Sequence, residues 1–368
     1  MKNIEKYKFK EFTYVKYYNS GDNKGIIEHN KNKPEYLFKF YALTEYSVDA
    51  FVKGYFYASH PIELNDCLDS SPFLFFTSKP LDFELYEKFL GFAYKENMDE
   101  LKKFYEDDCS IENLCKGYIS NLYSIATNLF GIISTTEREN NPLMWPHYTQ
   151  EKGFQIKFNT AKMEQSIESK ITDDEEYLGL YPINYTDKLE PIDISEFQTM
   201  LIPLYYATNI KSEQWNYENE WRFLVGKQQM GVPYSKSGLD PREDWSVHKE
   251  NRYIYYDNNL IEEICLGVNF FNGKEFELKW LDDKSFRIKV KPKKDNRLSE
   301  PQNRLLDYIA IDLKDKLYYS GIKYELDENE KHFLIRTKER LEIKKEEDGF
   351  YILSRTNQII KMMDKASL

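Results

Sequence analysis

Apolar residues fall in short runs along most of the chain, and two of these runs frame its most informative stretch. Residues 131–134 (GIIS) and 153–158 (GFQIKF) read as strands. The connector between them carries Asn140-Asn141-Pro142, Trp145-Pro146 and His147-Tyr148. Pro142 and Pro146 exclude an ordinary long helix, because each lacks an N–H and restricts the residue before it. A connector with this much aromatic area, a titratable ring and several side-chain donors is expected to form the wall of a pocket.

The remaining pattern predicts an α+β chain with a mixed or antiparallel β core. Residues 1–35 are rich in Lys, Asn and Tyr and read as a partly ordered N-terminal arm. A strand over 36–41 is followed by a helix that Thr44 caps, Val48, Phe51 and Val52 anchor, and Gly54 ends. The next strand is 55–59. The loop 60–70 contains Asn65, Asp66 and Asp69, either as turn formers bonding their own backbone or as a ligand-facing site.

Residues 81–129 turn helical and form an insertion. Leu81, Leu85, Phe89 and Phe92 share one face; Ile111, Leu114, Tyr118, Leu122, Ile125 and Leu129 share another, with Asp107-Asp108 and the N-cap Ser110 between them. Further on, 180–185 reads as an edge strand because of Pro182, and 194–210 as a helix bent at Pro203. Strands follow at 221–225, 261–268 and 286–290. The main domain is placed at 36–295. A small accessory domain at 296–368 consists of a helix over 299–319 and a meander of 333–336, 341–344 and 350–354, with a turn at Asp348-Gly349.

Composition narrows the function classes. The 368 residues are 16% aromatic, with a net charge of −11 and a pI near 5.2. That acidity argues against broad, phosphate-led nucleic-acid binding. Cys67, Cys109, Cys115 and Cys265 are scattered and form no CxxC pair, which favours reduced thiols over a zinc site or a disulfide frame. No apolar leader opens the sequence, and no run approaches the roughly 20 apolar residues of a membrane span. A cytoplasmic protein with no membrane contact is expected.

Several segments together resemble a bacterial family catalogued as domain of unknown function twenty-nine seventy-one. They are YLFKFYAL at 36–43, YFYASHPIELND with Asp69, GIISTTERENNPLMWPHYTQEKGF, the W-x-Y-E-x-E-W-R order ending at Arg222, and IEEICLGVNF at 261–270. The chain departs from the family pattern at Tyr41, where an Arg is usual, and at Cys67-Leu68, where Pro and Phe are usual. Members resemble genes of bacterial defence and toxin neighbourhoods, so the resemblance implies a toxin or phage-defence effector.

Glu218-Asn219-Glu220, just before a strand, also resembles the Glu-x-Glu signature of ADP-ribosyltransferases. That distant resemblance implies an enzyme that consumes NAD as a substrate. Glu220 would stabilise the ribosyl cation, Glu218 would orient or deprotonate the acceptor, and Arg222 would lie on the same face, since residues i and i+2 of an extended chain share one. Ser134 and Thr135, followed by Thr136, would supply a second pocket element. Lys39 or Tyr41 would stand for the early-strand basic group, and Trp145 or Tyr148 would stack on nicotinamide. The acceptor would be a protein or a nucleic acid, with a regulatory partner reached through 296–368.

Other readings of the same residues remain open. Glu-x-Glu-x-Arg on a strand also describes a solvated face with an internal ion pair. His147 is either a base or a structural histidine, and Trp145 either a platform or a core plug. Two alternative functions follow: a non-catalytic sensor of a nucleotide or a phage component, and a metal-dependent nuclease in which Asp66 and Asp69 join Glu218 or Glu220. No metal-ligand spacing occurs in the sequence, so no metal is predicted.

Overall fold

The computed structural model describes residues 4–18, 25–79, 82–90, 98–108, 119, 122–123, 126–170, 175–227, 230–231, 249–292 and 300–362. Its central feature is an eleven-stranded sheet. Three strands precede that sheet in sequence: β1 (Ile4–Phe9), β2 (Phe12–Tyr17) and β3 (Gly25–Glu28). The sheet itself uses β4 (Tyr36–Tyr41), β5 (Phe130–Thr136), β6 (Phe154–Asn159), β7 (Glu175–Pro182), β8 (Glu220–Lys227) and β9 (Ile261–Leu266). It is completed by β10 (Phe276–Trp280), β11 (Ser285–Val290), β12 (Leu317–Leu326), β13 (His332–Lys345) and β14 (Tyr351–Lys361).

The spatial order is β10-β11-β14-β13-β12-β9-β6-β4-β5-β8-β7. Neighbouring strands are antiparallel except β9 and β12, which are parallel. The fold is thus mixed α/β on a large, mostly antiparallel sheet. No described helix is long and apolar enough to cross a membrane.

Each face of the sheet carries its own core, because side chains alternate along a strand. On one face, Ile133, Trp221, Phe223 and Val225 pack with helix α1 (Glu45–Lys53). Thr44 caps α1 by accepting from the Ser47 N–H, and Gly54 ends it at φ +68, a conformation open to glycine. On the opposite face, Phe130, Ile132 and Leu224 pack with β2, β3 and helix α5 (Leu201–Asn209). Helices α2 (Phe83–Leu90) and α3 (Met98–Asp108) precede β5 in the sequence, while α4 (Thr160–Lys170) follows β6.

Several elements differ from expectation. Residues 4–18 and 25–28 do not form a loose arm: β1, β2 and β3 make a three-stranded antiparallel sheet. Alternation of Phe12 and Tyr14 with polar residues lets that sheet cover α5, where the Tyr14 hydroxyl donates to Asn209 Oδ1 at 2.9 Å. The helix expected over 194–210 begins only at Leu201, so Pro203 falls in its first turn, where the missing N–H costs no bond. The helix expected over 299–319 is α6 (Glu300–Asp312), and Leu317 already belongs to β12. Leu81, Phe92, Ser110, Ile111, Leu114, Tyr118 and Ile125, with Cys109 and Cys115, lie outside the described residues; Cys67 and Cys265 are free thiols.

The expected boundary near residue 295 does not interrupt the sheet. β12, β13 and β14 lie between β9 and β11, so the C-terminal meander is built into the central sheet. α6 packs on α1, with Arg304 Nη2 2.8 Å from Asp49 Oδ1 and the Tyr308 ring edge-on to Phe51. A chain ended after residue 292 leaves β9 and β11 without partners on that side and uncovers Phe51. Such a chain is expected to lose its cooperative thermal transition, read by far-ultraviolet circular dichroism. A sharp transition with native-like signal would show that 296–368 is dispensable.

Candidate functional site

A cleft opens where β4 and β5 part. β4 pairs with β6 over six residues, Tyr36 to Tyr41, but with β5 only through Phe38 and Thr136. Along the rest of β5, Ser59 takes the place of a β4 residue: its N–H donates to Ile132 O at 2.8 Å, and the Ile132 N–H donates back at 2.9 Å. The segment after Ser59 is therefore wedged into the split and carries the Asn65–Asp69 loop to its mouth. Two local bonds shape this segment. His60 Nδ1 accepts from the Ile62 N–H, and the Glu63 carboxylate accepts from the His60 N–H.

The cleft has a volume of about 190 Å³. Five carboxylates line it (Glu63, Asp66, Asp69, Glu218 and Glu220) against three cations, Lys39, Lys211 and Arg222. Ser59, Ser134, Thr135, Tyr148, Trp215, Phe38, Phe40 and Met144 supply hydroxyls and apolar walls.

A buried charge network forms the floor. Glu218 closes a 3-10 turn, Glu213–Glu218, which Ser212 caps; Glu220 opens β8. Between them Asn219 adopts φ 44 and ψ 52, a left-handed conformation that asparagine tolerates. The two carboxylates converge through that reversal, not through the extended i, i+2 geometry expected from the sequence. Glu220 and Arg222 do share a face, since both lie within β8.

The Arg222 guanidinium ties three segments together. Its Nε donates to Glu220 Oε1 at 2.7 Å, and its Nη1 and Nη2 grip Asp69 at 2.9 and 2.5 Å. Nη1 also donates to Thr208 O, in the last turn of α5, at 2.7 Å. Lys211 Nζ completes the network at 2.6 Å from Glu218, 3.0 Å from Glu220 and 3.5 Å from Asp69. Its ammonium also lies 5.0 Å from the centre of the Trp215 ring, whose Nε1 donates to Asp66 Oδ2 at 2.8 Å. The Tyr148 hydroxyl donates to Glu218 Oε1 at 2.6 Å.

These contacts push the two glutamates apart. Burial alone would raise the Glu220 pKa, but Arg222, Lys211 and the Ser134 hydroxyl outweigh it and hold the carboxyl well below its ordinary value. Glu218 goes the other way: burial and the adjacent Glu220 charge raise it, against the pull of Lys211. Lys39, whose Nζ donates to Ser134 O at 2.8 Å, is brought down to about 8 by burial, with Glu220 pulling it back up.

The structure brings Lys39, Asp66, Asp69, Ser134, Thr135, Tyr148, Glu218, Glu220 and Arg222 into one cleft, with Asn65 at its rim. It does not place Tyr41, Trp145 or His147 there. Tyr41 is buried in the core beside the cleft, stacked on Phe154 at 5.1 Å, with the Lys39 Nζ 5.7 Å from its ring. Trp145 is fully buried against Phe40, with the Arg336 guanidinium 5.3 Å from its ring. A π-helical turn, Trp145–Thr149, sends Tyr148 toward the cleft and leaves His147 exposed, 3.5 Å from the Tyr217 hydroxyl.

Lys211, Trp215 and Glu63 were missed from sequence. The only signal for Trp215 was its place in the W-x-Y-E-x-E-W-R order. Lys211, in the short strand Ile210–Ser212, looks like any solvated lysine.

Fold and site together define a mixed α/β protein with a buried charge network at a split in its main sheet. Residues 144–223 match the model of a family described as Protein of unknown function (DUF2971). The match contains Tyr148, Lys211, Trp215, Glu218, Glu220 and Arg222, whereas Lys39, Asp69 and Ser134 come from outside it. No curated protein and no solved structure matches the chain.

Removing Arg222 would strand Asp69 and Glu220 as buried charges. Arg222→Met is expected to cost about 3–5 kcal/mol in chemical denaturation, and a loss below about 1 kcal/mol would mean that the network is not stabilising. The pH dependence has a defined sign. The depressed Glu220 pKa stabilises the fold above the ordinary carboxyl value of 4.5, and that contribution fades as pH falls below it. The raised pKa of Glu218 acts oppositely, favouring the fold as pH falls toward 4.5. Glu220→Gln should therefore be less stable at pH 7 yet show a shallower acid decline, as read from melting temperature between pH 7 and pH 3.

Proposed function

We propose that this cleft breaks an N-glycosidic bond to ribose, with NAD as the substrate, in the manner of an ADP-ribosyltransferase or NAD glycohydrolase. The observation that carries the reading is the geometry of two adjacent buried carboxylates at the cleft floor, Glu220 on the Arg222 guanidinium and Glu218 between Lys211 and the Tyr148 hydroxyl, whose surroundings push their pKa values in opposite directions. Paired groups pushed apart in this way divide into a charged stabiliser and a proton acceptor. Glu220, held ionised, supports the positive charge that develops on the ribose as nicotinamide leaves. Glu218, its carboxyl raised above the ordinary value by burial and the adjacent Glu220, takes the proton of the attacking nucleophile.

The steps balance without a co-reactant. The C1′–N bond breaks, and its electron pair neutralises the pyridinium nitrogen. An oxygen or nitrogen of water or of an acceptor bonds to C1′, and its proton passes to Glu218. The products are nicotinamide and ADP-ribose, free or attached to a protein or nucleic acid. The resemblances favour a toxin or phage-defence setting for this chemistry.

A non-catalytic sensor is the second reading, and one contact favours it. The π-helical turn that offers Tyr148 to the cleft is gripped from behind by β13, where Arg336 pairs with Glu151 at 2.7 and 2.9 Å and covers Trp145. A ligand that moved Tyr148 would be felt in the C-terminal strands. The metal-dependent nuclease has less support, because Lys211 already sits among the three carboxylates that would have to hold the cation.

Incubation with NAD, followed by chromatography for nicotinamide, separates these readings. Wild type should release nicotinamide, with the rate cut at least about 100-fold in Glu220→Gln, and slowed in Glu218→Gln with a changed pH profile. Melting curves must show both variants folded. Nucleotide binding without any nicotinamide release by wild type would favour the sensor instead.

A further inference from the structure

The charge lining the cleft bears on which part of a dinucleotide it reads. Five carboxylates face three cations among the described lining residues, a formal excess of two negative charges. Two of the three cations, Arg222 and Lys211, are already paired with carboxylates. Arg222 spends its donors on Asp69, Glu220, Ser70 and Thr208; Lys211 is shared among three carboxylates; Lys39 is held by the Ser134 carbonyl. A diphosphate placed here would meet an excess of like charge, with Lys39 the one lining cation not already paired with a carboxylate.

The same lining suits a cation with a flat ring. Tyr148 and Trp215 stand at the cleft as aromatic walls. The Trp215 ring already receives one ammonium on its face, and Asp66 fixes the indole by its N–H. Electron-rich faces backed by carboxylates attract quaternary nitrogen. Size agrees, since about 190 Å³ is less than the roughly 300–1,000 Å³ of pockets that enclose drug-sized ligands.

We infer that the cleft recognises a cationic N-ribosylpyridinium head and leaves any diphosphate outside, so that its substrate class is the positively charged nucleoside, with or without the rest of a dinucleotide. This rests on the proposed N-glycosidic chemistry for its relevance to turnover, but the recognition itself is tested by binding alone. The pyridinium charge is the one that disappears when the C1′–N bond breaks, so the preference also favours release of neutral nicotinamide.

The test uses the full chain and three uncleavable probes, in which a carbon replaces the ribose ring oxygen. They are carbocyclic nicotinamide riboside in its oxidised, cationic form, the same compound in its reduced, neutral form, and the 5′-monophosphate of the oxidised form. Calorimetry at pH 7.5 should show the cation binding at least tenfold tighter than the neutral form, with the phosphate adding less than threefold. Asp66→Asn, at a half-exposed loop position, should weaken the cation several-fold and leave the neutral form unchanged. Equal binding of the two ring states, a tenfold gain from the phosphate, or no binding of the cation to folded protein would each overturn the inference. If NAD were still cleaved in any of those cases, the N-glycosidic reading would stand without it. Selective binding of the cation with no release of nicotinamide from NAD or from nicotinamide riboside would leave the inference standing and remove the enzyme.

Discussion

The Arg222 guanidinium is the contact on which the rest of the site depends. It rises from β8, next to the edge strand of the sheet, yet its partners come from the loop before the helical insertion, from the start of its own strand and from the end of α5. With 1% of its surface exposed, it has no water to fall back on. Asp69 and Glu220 are buried because this one planar fork matches both, and a lysine, with a single point of charge, could not satisfy the same set. Lys211 complements it, because its compact ammonium reaches Glu218, Glu220 and Asp69 together.

Such a network is an expensive way to hold a fold together. Three carboxylates and two cations out of water lose hydration that a set of apolar side chains would not have to surrender. A protein that needed only to join loop 60–70 to β8 could do it with a leucine cluster. The excess negative charge, the opposed glutamates and the opening toward solvent fit a site arranged around a ligand better than an internal strut. This weighs against reading Glu-x-Glu-x-Arg as a solvated face, since none of Glu218, Glu220 and Arg222 is exposed.

The sequence made some of this legible and hid the rest for physical reasons. α1 could be read to its ends because Thr44 and Gly54 declare their conformations locally. β5 and β6 followed from their apolar runs. The N-terminal sheet was hidden because lysines and tyrosines dilute its alternation, and its burial depends on α5, far along the chain. α6 was read too long because Leu313 and Leu317 continue the helical spacing, while only pairing with β9 reveals that Leu317 begins a strand. At the site, charge chemistry singled out Asp69, Glu218, Glu220 and Arg222. Which way an aromatic points was not legible: Tyr41 stacks on Phe154 in the core, and the π-helical turn rotates Trp145 inward and His147 outward.

The split between β4 and β5 explains why a buried network still communicates with solvent. Had β4 continued along β5, the strands would have sealed the floor, and Glu220 would sit beneath a closed sheet. Ser59 instead replaces β4 as the partner of Ile132, so the chain turns out of the sheet there, and the segment that follows becomes one wall of the opening. That single exchange of pairing partner carries Asp69 down to Arg222 and leaves Asp66 near the surface beside Trp215. The cleft is thus built from backbone pairing first and from charge second. This ordering accounts for how five carboxylates come together: Glu63, Asp66 and Asp69 arrive on the segment that leaves the sheet after Ser59, and Glu218 and Glu220 at the start of β8.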